Sequence, residues 1–200
     1  MKRLARDAGL LLLTAALALC ATLAWRHWTS TAITSAEKRL QSQQRLALLP
    51  QGSYDNQPLD TPLPRPAAQR PNSRILAAYR AMRAGKPSAI IIVTQAQGYA
   101  GPIVLSVAIT PDGRLIGSQV VEQQESPGLG ARLADPQVHW LEQFTNRQLA
   151  DHWALKRDQG DFDQLAGATV TSRAVITALQ EALSYFDEQR ALLLGSSAHE

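Results

Sequence analysis

The spacing of apolar residues changes several times along the chain, and each change predicts a different element. Ala8 to Trp25 is an 18-residue run without a charged side chain. As a helix rising ~1.5 Å per residue it would reach about 27 Å, close to the ~30 Å hydrocarbon core of a bilayer, so the run predicts one membrane-spanning helix. Thr29 to Leu49 is polar and lacks both Pro and Gly, with Ile33, Leu40, Leu46 and Leu48 scattered among charges and glutamines; it predicts a juxtamembrane helix. Pro50 to Pro71 holds six prolines in 22 residues. Because proline fixes φ and removes backbone donors, this stretch predicts an extended connector or a strap over a domain surface. Ile75, Leu76, Tyr79 and Met82 recur at helical spacing between Arg74 and Arg83, predicting a short amphipathic helix.

From Ser88 the pattern turns β-like. Ala-Ile-Ile-Ile-Val at 89–93 suits a buried strand, Gly98 and Gly101-Pro102 interrupt it, and Ile103 to Ile109 predicts a second strand. Thr110-Pro111-Asp112-Gly113 supplies a turn, with Pro presetting φ and Gly tolerating positive φ, so Arg114 to Val121 returns as the antiparallel partner. Gln137 to Phe144 carries Val138, Leu141 and Phe144 on one side and predicts a helix; Trp153-Ala154-Leu155 predicts a last short strand. Ala174, Val175, Ala178, Leu179, Ala182, Leu183 and Phe186 then recur in i, i+1, i+4, i+5 pairs, an amphipathic helix with one buried face. A run of hairpin strands followed by helices, without strict alternation, predicts an α+β fold: an antiparallel sheet with flanking helices, preceded by one N-terminal transmembrane helix. The expected divisions are an anchor at 1–28, a juxtamembrane helix and Pro-rich connector at 29–87, a folded domain at 88–194 and a tail at 195–200.

Charge refines this picture at the N-terminus. Lys2, Arg3, Arg6 and Arg26 face only Asp7 in the first 28 residues, and Thr29 onward carries 16 basic and 16 acidic residues. Cations ahead of the apolar run favour a cytoplasmic N-terminus, and Trp25 and Trp28 suit the far interface, which places the remainder on the outer face. A cleaved signal peptide, with Ala16-Leu17-Ala18 as processing site, is the competing reading and also exports the remainder. A lipoprotein is disfavoured because bulky Leu19 precedes Cys20. With the exported part neutral overall, charge gives no reason to expect nucleic-acid binding. Within it, six cations and no anion lie between Thr61 and Pro111, whereas Asp112 to Glu200 holds 13 acids against seven bases. The single cysteine excludes an internal disulfide and an iron–sulfur cluster held by this chain's own four thiolates. His27, His139, His152 and His199 show no metal-ligand spacing, and no protein-ligated metal is expected.

The segment Asp161-Phe162-Asp163-Gln164-Leu165-Ala166-Gly167-Ala168-Thr169-Val170-Thr171-Ser172 ends where the last helix begins. On composition alone Thr171 or Ser172 serves as an N-cap and Gly167 turns the chain. The chemistry such a place offers is anion binding: free amides and the positive end of the helix dipole favour a phosphate, and the small residues Gly167 and Ala168 let it approach the backbone. A phosphate esterified to a threonine here, a non-covalent phosphate and an empty cap are all compatible with these residues. Ser126-Pro127-Gly128-Leu129-Gly130 is a second candidate, a tight turn whose amides can line a concavity.

Asp163 to Thr169 resembles the flavinylation motif Dxx[S/T]GAT of the FMN-binding domains in the Rnf and Na⁺-translocating NADH:quinone oxidoreductase complexes. The departure is Ala166, where the pattern prefers Ser or Thr. The chain is most similar to the Rnf (Rsx) G-subunit family, through the N-terminal anchor, Leu48-Leu49-Pro50 before Tyr54-Asp55-Asn56, and Gly98-Tyr99-Ala100-Gly101-Pro102-Ile103. Further resemblance lies in Glu125 to Gly130 and in Lys156 to Asp163. The resemblance implies one FMN joined through a phosphoester to Thr169, installed by an FMN transferase with FAD as donor, with the 126–130 loop against the flavin. Thr171 is a second hydroxyl two residues on; chemistry alone does not choose between them, and the motif match favours Thr169. Glu125 and Tyr99 are further candidates for contact with the ring system. It also implies an electron-carrier subunit with no catalytic residues of its own, in a bacterial inner-membrane complex that couples electron transfer to ion translocation, with other membrane subunits and lipid as partners and the main domain periplasmic. An exported sensory or reductase accessory module, or a cofactor-free tethered adaptor, is the alternative.

Overall fold

The computed structural model describes residues 14–22, 24–25, 46–64 and 70–195. The chain divides into two compact units, Met1–Gln43 and Gln44–Glu200. In the first, residues 14–22 and 24–25 are helical, and Leu17, Leu19 and Trp25 are exposed. The expected span has residues 8–13 and 23 outside the described ones, and among the described residues no helix is long and apolar enough to cross a membrane. Residues 29–45 of the expected juxtamembrane helix also lie outside them, as do 65–69 of the connector and 196–200 of the tail.

The second unit is α+β. Strands β1 (Ser73–Arg83), β2 (Lys86–Gln97), β3 (Pro102–Ile109) and β4 (Leu115–Gln123) form one sheet in the order β1-β2-β3-β4. Every neighbouring pair is antiparallel. The two central strands bury both faces, which is why Ile90, Ile91 and Ile92 all read as apolar in sequence. Helix α1 (Thr169–Glu188) covers one face, its Val175, Leu179, Ala182, Leu183 and Phe186 sharing a core with Ile90, Ile92, Leu105 and Val107. Each fully buried aliphatic side chain of this kind contributes about 1.5–3 kcal/mol. Phe162 closes one end of that core, its ring centroid 4.7 Å from Phe144 and 4.9 Å from Trp153. A short helix α2 (Arg190–Leu194) follows α1.

The opposite face takes residues 46–59 of a strap that runs over 46–64. Leu49 is buried with Ala81, Ala89, Ile91 and Ala108, and Leu46, Leu48, Tyr54 and Leu59 pack around them. The same strap bonds to the free edge of β1: Asp55 N–H donates to the Met82 carbonyl at 2.8 Å and Leu63 N–H to the Ala78 carbonyl at 2.7 Å. Asn56 donates from Nδ2 to the Arg80 carbonyl at 3.0 Å and accepts the Met82 N–H at Oδ1 at 2.8 Å. An edge strand that would otherwise offer unpaired backbone groups is thereby covered.

Three sequence expectations are corrected. The segment at 74–83 is strand β1, not a helix, so the sheet reaches back to Ser73. A bulge between Ile75 and Ala77 breaks the two-residue alternation, so that Ile75 and Ala78, three apart, join the same core, and this imitates helical spacing. Over 137–144 only Trp140–Phe144 is helical, as a 3-10 turn, because His139 ahead of it takes the left-handed conformation at φ 49°. At 153–155 no strand forms; Leu155 makes one isolated parallel bridge to Phe162.

Candidate functional site

The first turn of α1 is built without a side-chain cap. Gly167 turns the chain at φ +75°, and Ala168, not Thr171 or Ser172, occupies the N-cap position. Ser172 works from inside the helix, where its Oγ accepts the Leu165 N–H at 2.9 Å and donates to the Ala168 carbonyl at 2.8 Å. The amides of Thr169, Val170 and Thr171 precede the first intrahelical bond, from Ser172 N–H to the Ala168 carbonyl at 2.9 Å. They therefore have no intrahelical acceptor and lie at the positive end of a 20-residue helix.

The preceding segment is held from the side. Asp163 donates its N–H to Gln143 Oε1 at 2.8 Å, and its carbonyl accepts Trp140 Nε1–H at 2.8 Å. Its carboxylate pairs with Lys156 Nζ at 2.6 Å. The 3-10 turn at 140–144 thus fixes the approach to the helix start, while Gln164, Ala166 and Gly167 remain exposed.

The second candidate segment meets the first. Ser126 accepts the N–H groups of Leu129 at 3.2 Å and Ala131 at 3.1 Å through its carbonyl, and Gly128 sits at φ +75° inside this turn. A Cβ on Gly167 would lie 2.8 Å from Leu129 Cδ2, which shows how closely the two segments approach. Between them opens a cavity of about 360 Å³, within the ~300–1,000 Å³ range of ligand pockets. Its walls are Ser126, Leu129 and Gly130 on one side and Gly167, Ala168, Thr169 and Thr171 on the other. Of the residues expected to hold the cofactor, only Pro127 and Gly128 fall outside the lining. Glu125 and Tyr99 line the cavity too, and so does Val170, which the sequence did not suggest. Tyr99, Leu129 and Val170 are all exposed at the rim, Tyr99 to 73%.

The two hydroxyls that the sequence left in competition differ sharply. Thr171 is 1% exposed, and its Oγ1 donates to Glu125 Oε2 at 2.5 Å. Thr169 is half-buried, and its Oγ1 donates over 3.2 Å to the exposed Gln164 Oε1. One hydroxyl is committed inside the wall; the other is presented at the mouth.

FMN suits this site on two counts. First-turn amides without intrahelical acceptors, beside glycine and alanine, match a phosphate, and apolar Tyr99, Leu129 and Val170 match a flat ring system. No Lys, Arg or His is among the lining residues, so the attraction for an anion comes from backbone amides and the helix dipole. The class of this α+β unit is given by its sequence pattern: that of the FMN-binding domain family matches residues 98–184. That range contains every residue lining the cavity.

Comparison with whole chains goes further. A Pseudomonas aeruginosa (strain UCBPP-PA14) protein, described as the G subunit of the ion-translocating oxidoreductase complex, is 42% identical over 181 residues, 84% of this chain and 82% of its own. The protein of that description from Pseudoalteromonas atlantica is 37% identical over 175 residues, 82% and 81% respectively. The chain belongs to this family, the Rnf G subunits. A crystal structure of Shewanella oneidensis NqrC aligns over 60% of this chain and 61% of that one, with 26% identity and a TM-score of 0.49.

Proposed function

We propose that this protein is a membrane-anchored electron-carrier subunit of an Rnf-type ion-translocating complex, with one FMN esterified through its phosphate to Thr169. Membership of the Rnf G-subunit family supports assembly into such a complex. Exposed Leu17, Leu19 and Trp25 on the N-terminal helix support the anchor, which would leave the main domain on the periplasmic side of a bacterial inner membrane. FMN supplies reversible electron storage when bound; the protein retains and orients it. Attachment is a phosphoryl transfer catalysed by an FMN transferase. Thr169 Oγ1 forms a bond to the FMN phosphorus of FAD, the bond to AMP breaks, AMP leaves and the hydroxyl proton passes to solvent.

The observation that carries the assignment is the contrast between the two threonines: Thr169 is half-buried at the start of the helix, whereas Thr171 is buried and already bonded to Glu125. Gln164 orients the Thr169 hydroxyl, and the first-turn amides offset the charge of the phosphodiester. Coexpression with the transferase provides the test. Wild type and Thr171→Ala fluoresce yellow-green on a denaturing gel and gain the mass of FMN less water, while Thr169→Ala does neither. Colourless wild-type protein would leave only a tethered adaptor, and flavin lost in Thr171→Ala but kept in Thr169→Ala would move the ester to Thr171. Co-purification with other membrane subunits tests membership of the complex.

A further inference from the structure

One buried acid of the cavity lining bonds to two other segments of the chain. Glu125 is 6% exposed. Its Oε2 accepts the Thr171 hydroxyl at 2.5 Å, and its Oε1 accepts the Ala100 N–H at 3.1 Å. Its own N–H donates to Gln123 Oε1 at 2.6 Å. The carboxylate therefore joins the β2–β3 turn to the first turn of α1, and it does so from the residue that opens the 126–130 loop. Two glycines make room for it: a Cβ on Gly98 would overlap Oε1, and one on Gly130 would overlap Oε2 and lie 2.9 Å from Thr171 Oγ1. A buried carboxylate is costly without hydrogen-bond partners, and here each oxygen has one.

We propose that Glu125 is the positioning residue of this cavity, tying three chain segments together so that Thr169 is presented at the mouth and Thr171 is withheld from modification. The proposal rests on the flavin reading for its consequence and on the unmodified protein for its geometry. Two measurements on the full chain test it. In the unmodified protein, Glu125→Ala speeds hydrogen exchange of the Ala100 amide at least tenfold, while central strand amides such as those of Ile91 and Leu105 keep their protection. With transferase and FAD, Glu125→Ala slows flavin incorporation about tenfold. Glu125→Gln, which keeps an acceptor for Ala100 and offers Thr171 an amide donor, restores most of the rate.

Ala100 exchange and incorporation both within twofold of wild type in Glu125→Ala overturn the proposal, as does a Gln variant as impaired as the Ala variant. If Glu125→Ala loses protection throughout the sheet, Thr171→Val takes its place. Removing that one arm slows incorporation several-fold, and an unchanged rate overturns the tie. Wild-type protein that takes up no flavin defeats the functional reading and leaves Ala100 exchange to decide the tie alone.

Discussion

Gly130 shows how closely the residues of the cavity wall depend on one another. A methyl group there meets the Glu125 carboxylate and side chain together with the Thr171 hydroxyl, and forcing extra volume into a packed site costs roughly 1–3 kcal/mol. Gly130→Ala is therefore expected to lower the urea midpoint by a corresponding amount and to displace Glu125, whereas Gly128→Ala, with open space around its Cβ position, meets no atom and suffers only the strain of φ +75°. Urea denaturation of both variants checks the difference. At this scale the sequence was most legible where chemistry is local. Thr169, Gly167 and Ala168 are adjacent, and their motif reads directly. The partner of Thr171 was not legible, because Glu125 lies 46 residues away and only the folded sheet brings the two together. The contrast between the two hydroxyls likewise depends on burial, which the segment shares equally in sequence and unequally in space.

Among the elements, β1 shows most clearly why pattern and structure diverged. Its alanines and its three-residue apolar spacing suit a helix, yet pairing with the β-branched run of β2 fixes it as a strand, and tertiary context overrides a weak local preference. The hairpin β2 to β4 was legible because its turns carry the glycines and proline that the geometry demands. The strap was legible as a strap but not as a clamp, since nothing in Tyr54-Asp55-Asn56 announces which backbone it will bond. Asn56 serves both the Arg80 carbonyl and the Met82 N–H. Asn56→Ala leaves both half-buried groups without those partners and is expected to cost about 1–3 kcal/mol. Chemical denaturation measures the loss, and faster exchange at the Met82 amide localises it to the edge of the sheet.

Across the whole second unit, the charge split along the chain resolves partly into internal complementarity. Arg70 forms a two-pronged pair with Glu188, at 2.8 and 2.7 Å, and Arg80 Nη2 donates to the Leu192 carbonyl at 2.7 Å, near the C-terminus of α2. A cation of the connector thus holds α1 through the Glu188 carboxylate, and one of β1 holds α2 through a backbone carbonyl. The bond from Arg70, assisted by Ser184, holds the Glu188 carboxyl below the usual carboxylate range, and the same pairing raises Arg70. The hydroxyl of Thr110 similarly lowers Asp112. A depressed carboxylate contributes stability that is present above its unfolded pKa, about 3.9 for Asp and about 4.3 for Glu, and is lost as pH falls through the lower folded value. The urea midpoint is therefore expected to hold between about pH 7 and 5 and to fall below about pH 4. Both carboxylates are largely exposed, so the effect is small and weakens in concentrated salt. Glu188→Gln should flatten part of the acid limb; an identical limb would remove this pair from the account.

The rim of the cavity sets the terms on which anything held there meets its surroundings. Tyr99, Leu129 and Val170 already stand in solvent, so a group tethered at Thr169 needs no door to swing before a neighbour reaches it. Traffic to and from such a group is then paced by collisions with one oily patch, and whichever molecule shields that patch from water governs who may trade with it.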